Sequence, residues 1–557
     1  MILRRKKQPF NDLNMKKALF PIFILIIWLM IKDNTMNAQT FFWSNQIGSE
    51  YYDSGGSGCC DNEGNFYFAG GFQGIFCYFQ TDTLVRHGVN DLFLVKYDPT
   101  GKELWVRQIG GWNEESFESI EVNYDNVSNH IFISGSFYGA VSFGSCIMTS
   151  RGRLDIFLLK YNLDGNCVWG TQAGGDGDDE ASKIAFDKNG CIYMCGSNSL
   201  TANFDDFEIP RGGFLAKFNQ DGKCQWAKNK FAWSQIRTPG LKIFDSDIIV
   251  GGCLGVDDTV RIDTIVIAHK GFCSSLICCF DSKGDAKWLR EGISLYTESV
   301  SDIAIDVDGN IFQTGYFVDS INFSGTFLAS KTGKQEMFLV KYDKTGKPLW
   351  ARQTVSSYYA EGFSLSTDRN GKITVTGHYS GTTRFDDFQV KSISNEDMFM
   401  TSYDNSGKCL GAYSFGNGLG SGICNDTEGN PYFTYLFSGS TSLGSKVFNS
   451  YGGTDIIIAK CSAITGLEEP PKNEQNTLLI YANPNTGKCN ITIPDEFKND
   501  KNLRLQIFDN KGRLIQQSAV EIAEDKIKLN IEAQAKGMYT AILSNGKKSY
   551  SGKIVFK

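Results

Sequence analysis

Residues 91–105 (DLFLVKYDPTGKELW) carry the pattern that decides the fold. Close copies occupy residues 155–169 (DIFLLKYNLDGNCVW) and 336–350 (EMFLVKYDKTGKPLW), and weaker copies end at Trp226 and Trp288. A unit that recurs at a long, regular interval is the signature of a repeat architecture, in which each repeat builds one structural unit. The chain is therefore expected to be an array of equivalent units.

Two further copies are incomplete. Residues 397–411 keep the pattern but lack the Trp, and residues 455–460 (DIIIAK) begin a seventh copy that is never finished. At the other end of the chain, residues 41–48 (FFWSNQIG) match the Trp-containing segment of residues 105–110 (WVRQIG), but the strands that should precede it are missing. This complementarity predicts that the N-terminal strand completes the last unit.

A second motif precedes the copies and consists of an Asp-rich turn followed by a strand. It is found at residues 61–70 (DNEGNFYFAG), 187–196 (DKNGCIYMCG), 306–315 (DVDGNIFQTG) and 368–377 (DRNGKITVTG). Each motif combines a tight turn with flanking strand residues, so one repeat predicts four antiparallel strands. The connections between strands one and two and between strands three and four are short, and the longer connections share the opposite face.

The third strand of the repeat is apolar on both faces, as residues 91–97 (DLFLVKY) illustrate. A sheet buried on both faces packs between two neighbours. Four-stranded sheets that pack face to face around an axis form a β-propeller. We therefore predict an all-β fold whose main part, residues 39–466, is a seven-bladed β-propeller closed by the N-terminal strand. An open solenoid and two smaller propellers are the alternatives.

The repeats resemble the bacterial β-propeller repeat of exported surface proteins across about residues 41–461. The strings quoted above carry the resemblance. It implies the propeller fold and says little about function, because this family is defined by its scaffold.

Residues 1–38 are predicted to be a cleaved signal peptide. Basic residues precede an apolar run at residues 18–31, and a small-residue site ends at Ala38, so cleavage is expected between Ala38 and Gln39. A membrane anchor is the alternative, but the apolar run is shorter than the roughly 20 residues that span a bilayer.

The C-terminal part of the chain departs from the repeat. Residues 467–476 form a polar stretch that is predicted to be a linker, and strand-like alternation resumes in residues 477–557. These last residues are predicted to fold as a small β-sandwich.

Three strings in this part resemble the type A sorting domain of the type IX secretion system: residues 478–488 (LLIYANPNTGK), 505–515 (LQIFDNKGRLI) and 536–557. Ala482 stands where the family usually has Pro. The resemblance implies a bacterium of the Bacteroidota and a secretion machinery that recognises residues 477–557. It also implies translocation across the outer membrane, removal of the domain, and then surface anchoring or release. An ordinary accessory β-domain is the alternative.

Composition limits the class of protein. A hydrophobic content of 41% supports a large core, and a formal charge of -7 disfavours a phosphate backbone as a partner. No nucleic acid is therefore expected, and the protein is expected to be a monomer. The 16 cysteines have no framework spacing, and we interpret them mainly as small buried hydrophobes, with one or two disulfide bridges left open.

Catalytic signatures are missing from the sequence. The four histidines, His87, His130, His269 and His378, lie on different repeats without ligand spacing and are interpreted as solvated or packed loop residues. Nucleophile-elbow, zincin and phosphate-loop motifs do not occur. The sequence therefore favours a protein that is not an enzyme.

Calcium is the one cofactor that the sequence leaves open. An acidic stretch contains Asp176, Asp178 and Asp179, whose oxygens are the ligands calcium prefers. It does not match the complete twelve-residue calcium loop, and a solvated acidic loop is the alternative.

A set of aromatic residues falls in the predicted connections between blades. Such rings stack on sugars or become buried in protein interfaces, and packing between blades is the alternative explanation. The candidate ligand-binding residues are Tyr51, Tyr52, Trp112, Trp233, Tyr296, Tyr358 and Tyr359.

The function predicted from these features is non-enzymatic binding or adhesion at the cell surface, with a glycan or protein ligand. An extracellular polysaccharide hydrolase or lyase is one alternative, with carboxylates that the fold gathers on the long-loop face. A structural component of the cell-surface layer is another. Paired carboxylates about 5 to 9 Å apart would favour the glycosidase, and an aromatic groove poor in acids would favour binding.

Overall fold

The structure, a computed structural model, describes residues 39–111, 116–231, 236–254, 259–268, 274–294, 296 and 298–464. In the C-terminal part it describes residues 478, 480–481, 485–494, 497–498, 503–509, 513–519, 526–545 and 548–557. The predicted signal peptide with Ala38, the predicted linker, Trp112 and Trp233 lie outside these ranges. Within them, no helix has the length and apolarity needed to cross a bilayer.

The chain divides into two compact units, Met1–Gly466 and Leu467–Lys557. The domain boundaries predicted from the sequence stay predictions. Both units are built from strands, which confirms the all-β class.

The strands of the first unit are β1 (Phe41–Ser49), β2 (Asp53–Cys60), β3 (Phe66–Phe72), β4 (Phe76–Tyr78), β5 (Thr83–Val85), β6 (Asp91–Tyr97), β7 (Glu103–Gly111), β8 (Ser116–Asp125), β9 (His130–Tyr138), β10 (Ala140–Phe143), β11 (Cys146–Thr149), β12 (Asp155–Tyr161), β13 (Cys167–Gly175), β14 (Asp179–Phe186), β15 (Ile192–Asn198), β16 (Ala202–Phe204), β17 (Phe207–Ile209), β18 (Gly212–Phe218), β19 (Cys224–Phe231), β20 (Ile236–Phe244), β21 (Asp247–Leu254), β22 (Thr259–Ile262), β23 (Ile265–Ala268) and β24 (Ser274–Phe280).

They continue with β25 (Ala286–Ser294), β26 (Glu298–Ile305), β27 (Ile311–Val318), β28 (Ser320–Phe323), β29 (Thr326–Ala329), β30 (Gln335–Tyr342), β31 (Pro348–Gln353), β32 (Val355–Ser356), β33 (Tyr359–Thr367), β34 (Ile373–Ser380), β35 (Thr382–Phe385), β36 (Phe388–Lys391), β37 (Asp397–Tyr403), β38 (Cys409–Asn417), β39 (Leu419–Asn425), β40 (Pro431–Leu443) and β41 (Lys446–Cys461).

The described strands form seven antiparallel groups of four, which follow the repeats of the sequence. From the inner to the outer strand the groups are β2-β3-β6-β7, β8-β9-β12-β13, β14-β15-β18-β19, β20-β21-β24-β25, β26-β27-β30-β31, β33-β34-β37-β38 and β39-β40-β41-β1. The inner strand of each group contacts that of the next, and β39 contacts β2.

The first strand of the chain pairs with the last strand of this unit. β1 runs antiparallel to β41, with Phe41 opposite Cys461 and Ile47 opposite Ile456. The seventh group therefore combines three strands from one end of the unit with one from the other. The seven-bladed count and closure by this strand stay predictions at this point.

Both faces of a group are buried against neighbours, as predicted. In β6, Leu92 and Leu94 pack in a cluster with β9 and β12 of the second group. Phe93 and Val95, on the opposite side of the same strand, pack in a cluster with β41. Alternate residues of one strand thus belong to two different cores, and the apolar run on both faces follows from this arrangement.

The Asp-rich motifs are turn-building devices. In the turn between β2 and β3, Asp61 accepts hydrogen bonds from the backbone N–H groups of Glu63 (3.0 Å) and Asn65 (2.9 Å). In the turn between β6 and β7, Asp98 accepts the equivalent bonds from Thr100 and Lys102. A carboxylate that caps the N–H groups of its own turn fixes the hairpin locally.

The repeat Trp connects one group to the next. Trp169 in outer strand β13 lies over Gly222, which has a φ of +79° in the turn before β19 of the next group. The indole N–H donates to the carbonyl of Gln220 in that turn at 3.1 Å. A Cβ atom at Gly222 would lie 2.7 Å from the ring. Glycine is therefore required there for both its backbone conformation and its lack of a side chain.

The same contact joins six pairs of groups. In each pair a positive-φ glycine of the turn before the outer strand lies under the Trp of the preceding group. The pairs are Trp43 with Gly101, Trp105 with Gly165, Trp169 with Gly222, Trp226 with Gly284, Trp288 with Gly346, and Trp350 with Gly407.

The missing Trp of the sixth repeat has a structural explanation. The seventh group lacks a turn before its outer strand, because that strand is β1 from the other end of the unit. A Trp in β38 would have no glycine turn to cover. Gly411 occupies the position instead, and the side chain of Ile464 lies 2.9 Å from where its Cβ would be.

A hairpin between the second and third strands was not predicted from the sequence. In the second group, β10 and β11 form this hairpin, and β10 pairs with β7 of the preceding group through Val141 and Gly111. The hairpins β4-β5, β16-β17 and β28-β29 attach in the same way to the outer strand of the preceding group, and β35-β36 attaches to β32, the short strand that follows outer strand β31. The long connections of the repeat are thus partly ordered, and they link adjacent groups.

The second unit contains β42 (Ile480–Tyr481), β43 (Lys488–Thr492), β44 (Arg504–Phe508), β45 (Leu514–Ala519), β46 (Lys526–Asn530), β47 (Gly537–Ser544) and β48 (Ser549–Phe556). They form a three-stranded sheet, β42-β43-β46, and a four-stranded sheet, β45-β44-β47-β48. Ile491 and Leu529 of the first sheet share one buried core with Ile507 and Ala541 of the second.

Replacing Gly222 by Ala should destabilise the protein through the Trp169 contact. The new Cβ imposes both backbone strain and displacement of the indole, so we expect a loss of about 2 kcal/mol more than for a strained glycine in open space. Gly144→Ala is the matched control, because Gly144 has a φ of +73° and nothing within 4 Å of its Cβ position. Thermal unfolding measures both variants, and equal losses would contradict the role given to the Trp contact.

Candidate functional site

One end of the first unit carries the connections between groups. The inner strand of each group begins there, and the outer strand of the preceding group ends there. The hairpins that follow the second strands lie at the same end. We call this end the loop face, and it is where the aromatic residues of the connections were predicted to lie.

Three adjacent strands of the sixth group bring polar side chains together at the loop face. Tyr359 and Glu361 lie at the start of β33, and His378 lies near the end of β34, directly opposite Glu361. Glu396 precedes the first residue of β37, which pairs with β34 on its other side. Tyr359, Glu361, His378 and Glu396 are called the loop-face cluster below.

The imidazole of His378 lies between two carboxylates. Its Nε2 atom is 3.5 Å from Oε2 of Glu361 and 3.6 Å from Oε1 of Glu396. Gln335 donates a hydrogen bond to the other oxygen of Glu361. Nδ1 of His378 is buried and has no hydrogen-bond partner among the described residues. The carboxylates of Glu361 and Glu396 thus both lie next to Nε2 of His378.

The phenol of Tyr359 completes the cluster. Its hydroxyl donates a hydrogen bond to Oε1 of Glu396, and its ring meets that of His378 edge-on at 6.0 Å. Burial, the bond to Glu396 and the nearby negative charges raise the pKa of Tyr359 above its usual range. The phenol therefore stays protonated at neutral pH and remains a hydrogen-bond donor.

The cluster is open to solvent on one side, where an aromatic ring stands. Tyr358 is 63% exposed, and its ring centroid lies 5.7 Å from that of Tyr359. The side chain of Glu396 is 39% exposed, whereas that of His378 is only 14% exposed. The exposed ring of Tyr358 thus packs on Tyr359, whose hydroxyl donates to Glu396, and it offers an apolar face at the edge of the cluster.

The other predicted aromatic residues do not join this cluster. Tyr51 and Tyr52 are 57% and 66% exposed and lie beside Gly453 of the last hairpin, whose N–H donates to the carbonyl of Tyr51 at 3.0 Å. Tyr451 of that hairpin, which was not predicted, packs on Tyr78 at 5.0 Å.

Tyr296 is 54% exposed in the connection before β26, and its backbone N–H donates to Oγ of Ser294 at 3.2 Å. Trp112 and Trp233 lie outside the described residues. The structure therefore brings Tyr358 and Tyr359 together, and it keeps Tyr51 and Tyr52 at the junction of the seventh and first groups.

Glu361 follows a register position that holds a buried acid in three of the other groups. Asp53, Asp179 and Glu298 occupy equivalent register positions two residues before the pairing irregularity of their inner strands. Ala360 holds this position in β33, and Glu361 follows it. The second and seventh groups, with Ser116 and Gly418 there, also lack the acid, so the sequence does not single out the cluster by this position.

Those buried acids hold the connections between groups. Asp53, 3% exposed, accepts hydrogen bonds from the backbone N–H and the hydroxyl of Ser49, both at 2.6 Å. Burial raises the pKa of Asp53 to about 7. The Ser49 hydrogen bonds oppose this shift, and the charge of Asp455 adds to it. Burial likewise raises the pKa of Asp179 to about 7.

The three acids predicted to bind calcium differ in their exposure and in the groups that they contact. Asp176 is exposed, and Oδ1 of Asp178 is 3.2 Å from Nε of Arg153. Asp179 is fully buried and accepts the backbone N–H of Gly175 at 2.7 Å. In the described part of the chain no group of three or more potential ligands is placed to hold a metal ion. Calcium binding stays a prediction.

A polar cavity of about 420 Å³ lies between the inner strands at the end away from the loop face, lined by residues of all seven. Lys183 and Glu121 form an ion pair there at 2.6 Å. Burial lowers the pKa of Lys183, but the charges of Glu121 and Asp302 outweigh it and raise the pKa overall. Asp302 in turn accepts the hydroxyl of Ser364 at 3.0 Å. These charges satisfy one another inside the cavity.

The C-terminal unit matches a known family. Residues 479–557 fit the family model described as a secretion system C-terminal sorting domain. The chain carries a type IX sorting domain. Its destination is therefore the cell surface or the extracellular space, and it engages the type IX secretion machinery, as the sequence resemblance implied.

The chain is similar to two longer proteins. An uncharacterized WD repeat-containing protein of Acanthamoeba polyphaga mimivirus is 22% identical over 61% of this chain. The regulatory protein FlaEY of Caulobacter vibrioides is 32% identical over 30% of this chain. The chain spans 30% and 17% of the lengths of these relatives, respectively.

Among solved structures, the Dos1 propeller is similar at 9% identity with a TM-score of 0.37, covering 77% of this chain and 96% of that one. The endosialidase of phage phi92 is similar at 11% identity with a TM-score of 0.36, covering 93% and 87%.

Neutralising Asp53 should change how stability depends on pH. The pKa of Asp53 is about 7 in the folded protein against an ordinary 3.8. The folded state therefore binds more protons than the unfolded chain between pH 4 and 7, and its free energy of unfolding falls as pH rises through that window. Asp53→Asn removes this loss. We expect its Tm to exceed that of the natural protein by about 2 °C or more at pH 8, with the gain shrinking towards pH 4.

The control for this prediction is Glu50→Gln, because Glu50 is exposed in the same connection. Thermal unfolding at pH 4.5 and pH 8 should give this control a Tm difference that hardly changes with pH. A pH-independent difference for Asp53→Asn would show that Asp53 is not the titrating group.

Proposed function

We propose that the protein is a non-enzymatic surface protein that binds glycans at the loop face of a seven-bladed β-propeller. The observation that carries this proposal is the exposed ring of Tyr358, which packs on Tyr359, the donor to Glu396 in the loop-face cluster. In this account a bacterium of the Bacteroidota removes residues 1–38 and exports the chain as a monomer, and adhesion is its role.

The closed ring is part of the proposal. Two contacts support it. At the outer edge of the seventh group β1 pairs with β41, and at the inner edge β39 contacts β2 of the first group. Both contacts join the seventh group to the N-terminal strands of the unit. The cavity lined by all seven inner strands supports a single central axis. Seven blades then leave only short, protected edges.

Sugar binding follows from the chemistry of the cluster. The apolar face of a pyranose stacks on an aromatic ring such as that of Tyr358. Its hydroxyl groups then reach the carboxylates of Glu361 and Glu396, and hydrogen bonds to ionised acceptors are the stronger kind. The buried His378 and the bond from Tyr359 hold these acceptors in place before the ligand arrives.

Glycoside hydrolysis is the second candidate, and the paired carboxylates favour it. A glycosidase needs one carboxyl group as acid and a second as base or nucleophile, on opposite sides of the scissile bond. Here Glu361 and Glu396 flank the same imidazole, and Glu396 already accepts a bond from Tyr359. His378 fills the space between the acids, so we rank binding first.

A glycan microarray with the secreted protein tests both candidates. Tyr358→Ala should weaken the strongest glycan signals by about tenfold or more, since loss of a stacking contact of about 1.4 kcal/mol has this effect. Tyr138→Ala is the matched control, because Tyr138 is 42% exposed on the second group, away from the cluster. Binding that is equal in both variants would overturn the assignment to this cluster.

Product analysis of each bound polysaccharide separates the two candidates. Binding predicts that no shortened oligosaccharide is released. Release of product by the natural protein, and its loss in Glu361→Gln or Glu396→Gln, would establish the hydrolase instead. Neither binding nor release across the array would contradict both.

A further inference from the structure

Two cysteines from distant parts of the chain face each other at the junction of the first and last groups. Cys60 ends inner strand β2, and Cys424 lies in inner strand β39. Their Sγ atoms are 2.8 Å apart, although 364 positions separate them in the sequence. The cysteine side chains therefore meet because the fold brings the seventh group beside the first.

The chemistry of export adds a second observation. A chain with a sorting domain of this kind is delivered to the cell surface or the extracellular space. Cysteine pairs become oxidised in such compartments, whereas they stay reduced in the cytosol. The short distance between the two sulfur atoms and the oxidising environment outside the cytosol both favour a disulfide bond.

We propose that Cys60 and Cys424 form a disulfide that covalently joins the first group of the propeller to the last. In this step the two thiols lose two protons and two electrons and form one S–S bond. A periplasmic protein thiol oxidase with a catalytic disulfide takes up both and becomes a dithiol. The site goes beyond glycan binding and does not depend on it.

Both thiols lie at the wall of the polar cavity and are half-buried. Burial raises the pKa of the Cys60 thiol well above its ordinary value, and only the thiolate attacks a disulfide. Cys60 in the finished fold is therefore a poor nucleophile.

The disulfide would link the first and seventh groups at their inner strands, whereas β1 holds this junction at the outer edge of the seventh group. Pairing of β1 with β41 fixes the seventh group to the N-terminal strand through hydrogen bonds. The Cys60–Cys424 bond would add a covalent link between β2 and β39. A link that closes so long a loop restricts the unfolded chain more than a short one does.

A second facing pair has the same geometry over a short distance. The Sγ atoms of Cys146 and Cys167 are 2.7 Å apart, 21 positions apart in sequence. Cys146 lies in hairpin strand β11 and Cys167 begins outer strand β13, so a bond there would fasten the second group's hairpin to its own outer strand. We infer a disulfide at this pair as well.

Mass spectrometry of the secreted protein tests both bonds directly. The protein is collected without reductant, unfolded in denaturant in the presence of a thiol-alkylating reagent, and digested. We expect a peptide with Cys60 linked to one with Cys424, which separate on reduction. Cys59 is adjacent in sequence, buried in a different core cluster from Cys60, and should carry the alkyl group. Fragmentation between the two residues distinguishes them.

The stability test uses Cys60→Ser, Cys424→Ser and the double variant. Each single variant should lower Tm by roughly 5 °C or more, and the double variant should lose no more than either single one, because one bond is removed in all three. Cys191→Ser is the control, since Cys191 is half-buried with Asp187 and Lys217 as its titratable neighbours.

Alkylation of both Cys60 and Cys424 in the natural secreted protein would overturn the first bond, even if the variants fail to fold. Losses of Tm that add up in the double variant would also contradict it. Glycan binding is measured on the same preparation, so failure of the disulfide and failure of the binding proposal are told apart.

Discussion

The contact between an outer-strand Trp and the glycine of the next turn is the interaction on which the first unit depends. At Trp169, the indole covers the face of Gly222 and donates its N–H to the carbonyl of Gln220. The contact uses a backbone conformation that favours glycine and leaves no room for a Cβ atom. It therefore fixes both the residue type in the turn and the distance between neighbouring groups. The Asp-capped turns, and strands that are buried on both faces, build each group. The Trp–Gly contact then fixes the position of each group beside the next one.

Most of the scaffold could be predicted from the sequence, because repeated local interactions leave repeated residues. The Asp or Asn that caps each turn and the glycine below each Trp recur for this reason, and the absent Trp at Gly411 reflects the absence of a turn before the outer strand of the seventh group. The hairpins after the second strands left no such pattern. Their apolar residues, such as Val141, fill a gap beside the preceding group, and many different residues serve that purpose.

The loop-face cluster shows why a linear analysis cannot assemble a site. Glu361, His378 and Glu396 come from three strands, and only the antiparallel pairing of β33, β34 and β37 places them together. His378 was interpreted from its sequence context as a solvated or packed loop residue, yet it lies in a strand between two acids. Ala360 stands where three sister repeats have a buried acid, but other repeats lack this acid as well. This position therefore could not single out the sixth group from the sequence.

Closure of the ring by the first strand is the central claim, since the glycan site and the disulfide junction both assume one rigid unit. Hydrogen–deuterium exchange followed by mass spectrometry measures it most directly. If β1 (Phe41–Ser49) completes the seventh group, peptides from this strand exchange as slowly as those from β41, its partner along Ile456–Cys461. Exchange of β1 at the rate of an unpaired chain, with β41 still protected, would contradict closure.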